Sequence, residues 1–182
     1  MKIIGITGTI GAGKGTIVEY LVNHYGFKHY SVRNYLIEEA KKQNLPLNRD
    51  TYVLIANKLR EIHSPSYIID ELYKEAAKNG QNAIIESIRT EGEIESLRKK
   101  EDFTLWAVDA DLKIRYERIV ARQSETDKIS FETFLANEQR EMNADDPTKQ
   151  NLSACIRNAD VVFKNNDNYE KLFKQIEEYL NR

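Results

Sequence analysis

The 182-residue chain has the length of about one domain, and its 27 basic and 29 acidic side chains leave a net charge of −2. This balance provides no overall field that would attract nucleic acid or an anionic membrane, so we expect neither as a partner. No apolar run approaches the roughly 20 residues that span a bilayer, and the first residues already look like a strand, so we expect a cytoplasmic protein without a signal peptide.

The first elements form a strand, a glycine-rich loop and a helix. Ile3–Thr7 is apolar and predicts a buried strand, and the helical pattern begins at Thr16. Between them the sequence reads Gly8-Thr9-Ile10-Gly11-Ala12-Gly13-Lys14-Gly15-Thr16. Glycines allow tight turns that point successive N–H groups inward, and the helix N-terminus adds partial positive charge. This order predicts a loop that binds the phosphates of ATP.

The predicted ATP contacts are the loop backbone and the mobile charge of Lys14. The residues we assign to this contact are Gly8, Ile10, Gly11, Ala12, Gly13, Lys14, Gly15 and Thr16. Gly15 stands where many such loops place a serine or threonine that contacts magnesium. We therefore expect Mg²⁺ to arrive with ATP and to keep several of its waters.

The middle of the chain alternates short strands with helices. A strand is predicted over 27–31, after a helix stop at Gly26. Helices are predicted over 34–43, 50–63 and 66–79. The next buried strand is Ala83–Glu86, followed by a helix over 93–100 and a strand over 103–109.

The last third continues the same alternation. Helices are predicted over 112–122, about 130–142 and 169–180, with a short helix and a strand over 160–163 between the last two. Residues 123–128 are polar without large apolar anchors. Strands that alternate with helices predict an α/β fold with a parallel sheet covered on both faces. No linker divides the chain, so we expect a single domain over 1–182.

Two groups of side chains predict the rest of an active site. Glu86 ends the third strand and Arg89 follows it, at the edge of a parallel sheet where ligands collect. A carboxylate there can order magnesium-bound water, and an arginine can grip a phosphate. On the helix over 112–122, the spacing of Arg115, Arg118 and Arg122 places them on one stripe, where they could neutralise a transferred phosphoryl group.

These motifs resemble the P-loop nucleoside monophosphate kinase group, which includes adenylate-kinase-like proteins and dephospho-CoA kinases. The resemblance covers nearly the whole chain and rests on the phosphate loop, on Ile85-Glu86-Ser87-Ile88-Arg89, and on Arg118 and Arg122. It implies a three-layer P-loop fold with a five-stranded parallel sheet, a helical acceptor-binding insertion over 31–79 and a short lid near 123–130. The segment Asn165–Asn168 resembles the loop that contacts the ATP base.

The resemblance implies a kinase that transfers the γ-phosphoryl group of ATP to a nucleoside or deoxynucleoside monophosphate. Lys14, Arg89, Arg118 and Arg122 would be catalytic, and Glu86 would bind the metal through water. Acceptor-binding candidates are Arg33, Tyr35 and Arg89. Small nucleotides would be the partners of a monomer or homodimer.

The chain also departs from the family pattern. Glu86-Ser87-Ile88-Arg89 replaces Asp-Gly-x-Pro-Arg, and Ile37 stands where adenylate kinases carry an acceptor arginine. One alternative is a dephospho-CoA kinase, although the Asp-x-Asp that these enzymes place after the second strand is missing. The other is a non-catalytic ATP-binding regulatory module, which Ile37 favours.

Overall fold

The computed structural model describes residues 1–100, 102–122 and 129–181. The strands are β1 Ile3–Gly8, β2 Lys28–Ser31, β3 Ala83–Glu86, β4 Phe103–Asp109 and β5 Val161–Lys164. The helices of the described residues are α1 Lys14–Tyr25, α2 Val32–Lys42, α3 Arg49–Ile62, α4 Tyr67–Asn79, α5 Glu91–Arg98, α6 Leu112–Arg122, α7 Phe131–Met142, α8 Leu152–Arg157 and α9 Tyr169–Leu180.

The five strands form one parallel sheet in the order β2-β3-β1-β4-β5. Strand β1 lies at the centre and pairs with β3 on one side and β4 on the other. In this register Ile6 lies opposite Glu86, and Gly8 lies opposite Val108. The carboxyl ends of β1 and β3 therefore meet at one edge of the sheet, which confirms the predicted fold class.

Alternate residues of β1, β3 and β4 face two separate cores. Ile3 of β1 packs with α2–α5 and α8 on one face, whereas Ile4 and Ile6 pack with α1 and α9 on the other. Side chains alternate across a strand, so this central strand is buried on both faces and reads as a continuous apolar run. A third, smaller cluster joins Ile10 of the loop to Ile119 and Phe134 on α6 and α7.

Side-chain caps set several helix boundaries that differ from the predicted ones. Ser31, which the sequence places in a strand, accepts a hydrogen bond from the Asn34 backbone N–H, so α2 begins at Val32 rather than 34. Thr90 and Glu93 form a capping box, and α5 therefore begins at Glu91 rather than 93. Each cap satisfies backbone N–H groups that would otherwise lack a partner.

The single cysteine, Cys155, is completely buried in the core that α8 shares with α2–α5. Burial raises the pKa of its thiol to about 12, with a further contribution from the charge of Glu93. The residue thus behaves as a small apolar side chain. Of the predicted lid over 123–130, residues 123–128 lie outside the described residues.

Candidate active site

The glycine-rich loop follows β1 and turns into α1 through left-handed backbone conformations. Gly11 has a φ of 77° and Gly13 a φ of 105°. A Cβ at Gly11 would lie 2.5 Å from the Arg115 carbonyl oxygen, and one at Gly13 would lie 2.3 Å from Asn165 Nδ2. Both positions therefore need glycine for conformation and for space. At Gly15, by contrast, a Cβ would have no neighbour within 4 Å, so this side of the loop is open.

Lys14 begins α1, and its ammonium group lies over the loop. Nζ donates hydrogen bonds to the carbonyl oxygens of Gly8 and Thr9, both at 2.9 Å. Burial lowers the pKa of Lys14 to about 7, and the charge of Arg89 lowers it further while Glu86 and Glu141 act in the opposite direction. A bound anion would reverse this effect, because an adjacent negative charge favours the protonated amine.

Glu86 lies at the carboxyl end of β3, beside Lys14. His29 Nε2 lies 3.2 Å from Glu86 Oε2. Burial alone would raise the pKa of Glu86, but the hydrogen bond from His29 and the charges of Lys14 and Arg89 outweigh burial and lower the pKa below its ordinary value. The side chain is therefore an ionised carboxylate at neutral pH, as a ligand to magnesium-bound water must be.

Glu141 of α7 holds two arginines from different elements. Its Oε1 accepts from Arg49 Nε at 3.0 Å, and its Oε2 accepts from Arg89 Nη1 at 2.6 Å. Burial raises the pKa of Glu141, but Arg89 and Arg49 outweigh it, so the net pKa is lowered. An ionic cluster thus joins α3, the segment after β3 and α7. Its centre is Glu141, which is only 1% exposed.

Two clefts open along this edge of the sheet. The helical cleft lies among α2, α3 and the end of β3, and its lining includes Val32, Leu36, Tyr52, Arg49, Arg89 and Glu141. The loop cleft lies between the glycine-rich loop and α6, and its lining includes Gly13, Gly15, Thr16, Arg118 and Asn165. Four residues line both clefts: Gly11, Lys14, Glu86 and Arg122. The two clefts therefore meet at Lys14.

The three arginines of α6 do not share one role. Arg118 lines the loop cleft, and its Nη2 lies 3.4 Å from Asn165 Oδ1. Arg122 lines both clefts. Arg115 instead is buried, donates to the carbonyl oxygens of Ala110 and Ile10, and forms an ion pair with Glu138. The prediction that Arg115 faces the phosphates together with Arg118 and Arg122 is therefore wrong. Arg115 supports the backbone of the glycine-rich loop from the protein interior.

Some of the predicted ATP contacts of the glycine-rich loop are packed inside the protein, and others line a cleft. Gly8 has a φ of 146° and is packed so closely that a Cβ would lie 2.2 Å from the Val108 carbonyl oxygen. Ala12 is buried, and its carbonyl oxygen accepts a hydrogen bond from Asn165. Ile10 lines the helical cleft from the side of the third apolar cluster. The predicted loop contacts that line the loop cleft are Gly11, Gly13, Lys14, Gly15 and Thr16.

Two of the three predicted acceptor-binding residues line the helical cleft, and the third does not. Arg33 and Arg89 line the cleft. Tyr35 is outside its lining and packs against the core, where burial and the neighbouring Tyr67 raise its pKa to about 12. Tyr52 supplies the aromatic wall instead. On α2 it is Leu36, the residue next to Tyr35, that lines the cleft.

The side chain of Asn165 is buried against the glycine-rich loop. It is 1% exposed, and its Nδ2 donates to the Ala12 carbonyl oxygen at 2.8 Å. Asn166 pairs with Asp111, and Asn168 caps α9. These side chains fix the loops around the site. Asn165 is nevertheless part of the loop cleft lining.

Several site residues had no signal in the sequence. Arg49, Glu141, Arg60 and Gln150 line the helical cleft, yet each comes from a separate segment with no motif around it. Within the described ranges, no group of three or more histidine, cysteine or carboxylate side chains could hold a metal ion. Glu86 is an ionised carboxylate at the cleft junction, which suits a magnesium ion that keeps its waters.

The comparisons with known proteins agree with this geometry. The chain has a TM-score of 0.65 with the crystal structure of TT1252 from Thermus thermophilus, at 21% identity, covering 99% of this chain and 96% of that one. With shikimate kinase from Bacteroides thetaiotaomicron the TM-score is 0.61 at 13% identity, covering 100% and 99%. The fold and the loop define a P-loop protein with a kinase-like fold.

A family model described as an AAA domain matches residues 4–145. A UPF0200 protein of Methanococcus vannielii is 31% identical over 185 aligned positions, covering 100% of this chain and 96% of the relative. The chain therefore belongs to the UPF0200 proteins of the AAA domain family. In the described part of the chain, no helix has both the length and the apolar character needed to cross a membrane.

Proposed function

We propose that this protein is a kinase that transfers the γ-phosphoryl group of ATP to the phosphate of a nucleoside or deoxynucleoside monophosphate. The observation that carries the proposal is the meeting of two clefts at Gly11, Lys14, Glu86 and Arg122. A phosphoryl group passes directly between donor and acceptor, so the two must bind with their phosphates in line at one point. A protein that only binds ATP needs no second cleft there.

In this proposal the loop cleft holds ATP and the helical cleft holds the acceptor. The N–H groups of Gly13, Gly15 and Thr16 and the ammonium of Lys14 bind the triphosphate. Arg33 and Arg89 orient the acceptor phosphate, whose oxygen attacks the γ-phosphorus while the bond to the ADP oxygen breaks. Arg118 and Arg122 neutralise the charge that develops on the transferred group.

Glu86 is suited to hold water around a magnesium ion. Its lowered pKa keeps it ionised beside the triphosphate position. Bound Mg²⁺ would supply charge neutralisation on the phosphates. The protein would act in the cytoplasm on small nucleotides, as a monomer or homodimer.

A second candidate is a nucleotide-dependent binding module. The observation in its favour is Glu141, which already engages the guanidinium groups of both Arg49 and Arg89. If these contacts persist when ATP binds, Arg89 stays turned toward α7. The chain would then respond to ATP through α7 without transferring phosphate.

The experiment that separates the two is ADP production from Mg·ATP with a panel of ribo- and deoxynucleoside monophosphates and dephospho-CoA. We expect saturable stimulation by at least one monophosphate and a loss of at least 100-fold in kcat/KM in Lys14→Ala and Arg89→Met. Lys78→Ala, an exposed lysine on α4, is the matched control. Tight ATP binding without stimulation by any monophosphate would contradict the kinase, and stimulation by dephospho-CoA alone would reassign the acceptor.

A further inference from the structure

Two buried polar atoms in the wall of the helical cleft lack hydrogen-bond partners. Arg60 is 2% exposed and Gln150 is 9% exposed, and both line the cleft. Within the described residues, Arg60 Nη1 and Gln150 Oε1 make no hydrogen bond. Buried groups of this kind are nearly always paired in proteins, so an unpaired donor and an unpaired acceptor in one cleft point to a ligand.

Arg60 and Gln150 are both connected to the backbone of Arg89, each through a neighbouring residue. Glu93 accepts from Arg60 Nη2 at 2.9 Å and from the Arg89 backbone N–H at 2.6 Å. The backbone N–H of Asn151, next to Gln150, donates to the Arg89 carbonyl oxygen at 2.8 Å. These contacts tie Arg60 and Gln150 to the same part of the cleft wall, next to Arg89.

The rest of this part of the cleft wall suits a flat, apolar ring. Val32 and Leu36 of α2 and Tyr52, Val53 and Ala56 of α3 line it. An aromatic heterocycle between such side chains would bury its faces against carbon and present only its edge to polar groups. Arg60 and Gln150 are then the groups that meet that edge.

We propose that Arg60 and Gln150 read the base of the acceptor nucleotide and select a base with adjacent carbonyl and N–H groups. Guanine, hypoxanthine, uracil and thymine have such an edge, whereas adenine and cytosine carry an amino group in place of the carbonyl. The inference rests on the proposed function, since it names the acceptor of that site.

The preference follows from the chemistry of the two side chains. An arginine only donates hydrogen bonds, and its charge favours a carbonyl oxygen with two lone pairs. Glu93 fixes the guanidinium of Arg60, so Nη1 cannot turn away to avoid an amino group. Gln150 Oε1 accepts the neighbouring ring N–H. Sites that hydrogen-bond a ligand reject analogues that leave their buried groups unpaired.

The test is equilibrium binding of GMP, UMP, AMP and CMP to the full chain, measured by titration calorimetry. We expect GMP or UMP to bind at least 10-fold more tightly than AMP and CMP. In Gln150→Leu this preference should fall to less than 3-fold, through weaker binding of the oxo-base nucleotide. Equal or tighter binding of AMP to the wild-type chain would overturn the inference.

The controls separate recognition from folding. Gln81→Leu makes the same change at an exposed residue before β3, at the opposite end of that strand from the site, and it should leave the preference intact. Gln150→Met also removes the acceptor, with nearly the same side-chain length, and should lose the preference; this variant decides the question if Gln150→Leu unfolds. An unchanged preference in Gln150→Leu also contradicts the inference.

Phosphoryl transfer is measured in parallel on the same nucleotides. Selective binding of GMP or UMP without transfer would contradict the proposed kinase and leave the base selection standing. Transfer to AMP with indifference to Gln150 would leave the kinase standing and remove the base selection.

Discussion

Lys14 is the residue whose protonation the site controls most directly. Its pKa of about 7, against 10.5 for an ordinary lysine, makes most of the amine neutral at pH 8 in the free protein. A triphosphate beside Nζ restores the charge, so ATP binding at pH 8 should take up nearly one proton, and binding at pH 6 almost none. Calorimetric titrations in buffers of different ionisation enthalpy measure this uptake.

Lys14→Met at saturating ATP should abolish the proton uptake at pH 8, whereas Lys78→Met on exposed α4 should not change it. The same shift affects folding. Between pH 7 and 10.5 the unfolded chain holds a proton on Lys14 that the folded chain has lost, so this group makes the free protein more stable as the pH rises through that range. Proton release or no exchange at pH 8 would contradict the role given to Lys14.

The sequence indicates candidate site residues that lie in a local motif, but it does not indicate those that come together from distant segments. Glu86 ends β3 and Lys14 begins α1 after the glycine-rich loop, and both line the cleft junction. Glu141 and Gln150 lie in α7 and in the loop after it, and nothing in their neighbours marks them. Their roles come from the packing of α7 and α8 against the sheet edge, which local periodicity does not specify.

The turn after β5 supports the glycine-rich loop through a side-chain hydrogen bond. Asn165 donates to the Ala12 carbonyl oxygen, and Asn165→Ala would leave that buried oxygen without a partner. We expect a loss of about 1–3 kcal/mol in the free energy of unfolding. The distorted loop should also bind ATP at least 5-fold more weakly, as measured by calorimetry beside urea unfolding.

Asn166→Ala is the matched control, because Asn166 is exposed and pairs with Asp111 away from the loop. It should cost less than about 0.5 kcal/mol, as surface substitutions usually do. If the two variants are equally stable and bind ATP equally well, Asn165 does not support the loop.

The elements themselves were predictable where apolar periodicity is strong, and their ends were less so. The strand Ala83–Glu86 and the helix Leu112–Arg122 have the predicted bounds. At α2 and α5 the first turn begins earlier than the apolar pattern, because Ser31 and Thr90 accept hydrogen bonds from backbone N–H groups. A cap acts through a single hydroxyl, which periodicity does not detect.

At the scale of the whole molecule, a buried ion pair between Arg60 and Glu93 joins α3 to α5. Arg60 and Glu93 side chains are 1% and 0% exposed, and Glu93 also accepts from the backbone of Arg89 and Thr90. Glu93→Ala would leave a buried guanidinium and two backbone N–H groups without this partner. We expect a loss of about 3–5 kcal/mol in the free energy of unfolding, measured by urea denaturation.

Glu91→Ala, on the exposed side of the same first turn, is the control and should cost less than about 1 kcal/mol. A Glu93→Ala variant within 1 kcal/mol of the parent would show that the pair does not hold the helical region in place.

The global arrangement was predictable in kind from the alternation of strands and helices, which requires crossovers and a parallel sheet. The separation of the two cores was not, because it depends on which helices cover which face. Ile3 and Ile4 are neighbours in an unbroken apolar run, yet they belong to different cores. Such a run shows that both faces are covered without showing by which elements.

The buried thiol of Cys155 is a natural probe for the opening of this core. With its pKa raised to about 12 and its sulfur enclosed by α8 and the sheet, the thiol meets a reagent only when that core opens. The rate at which a thiol reagent labels the native chain therefore measures how often the core opens. Because the sequence contains no second cysteine, each labelled molecule records one such opening at one known place.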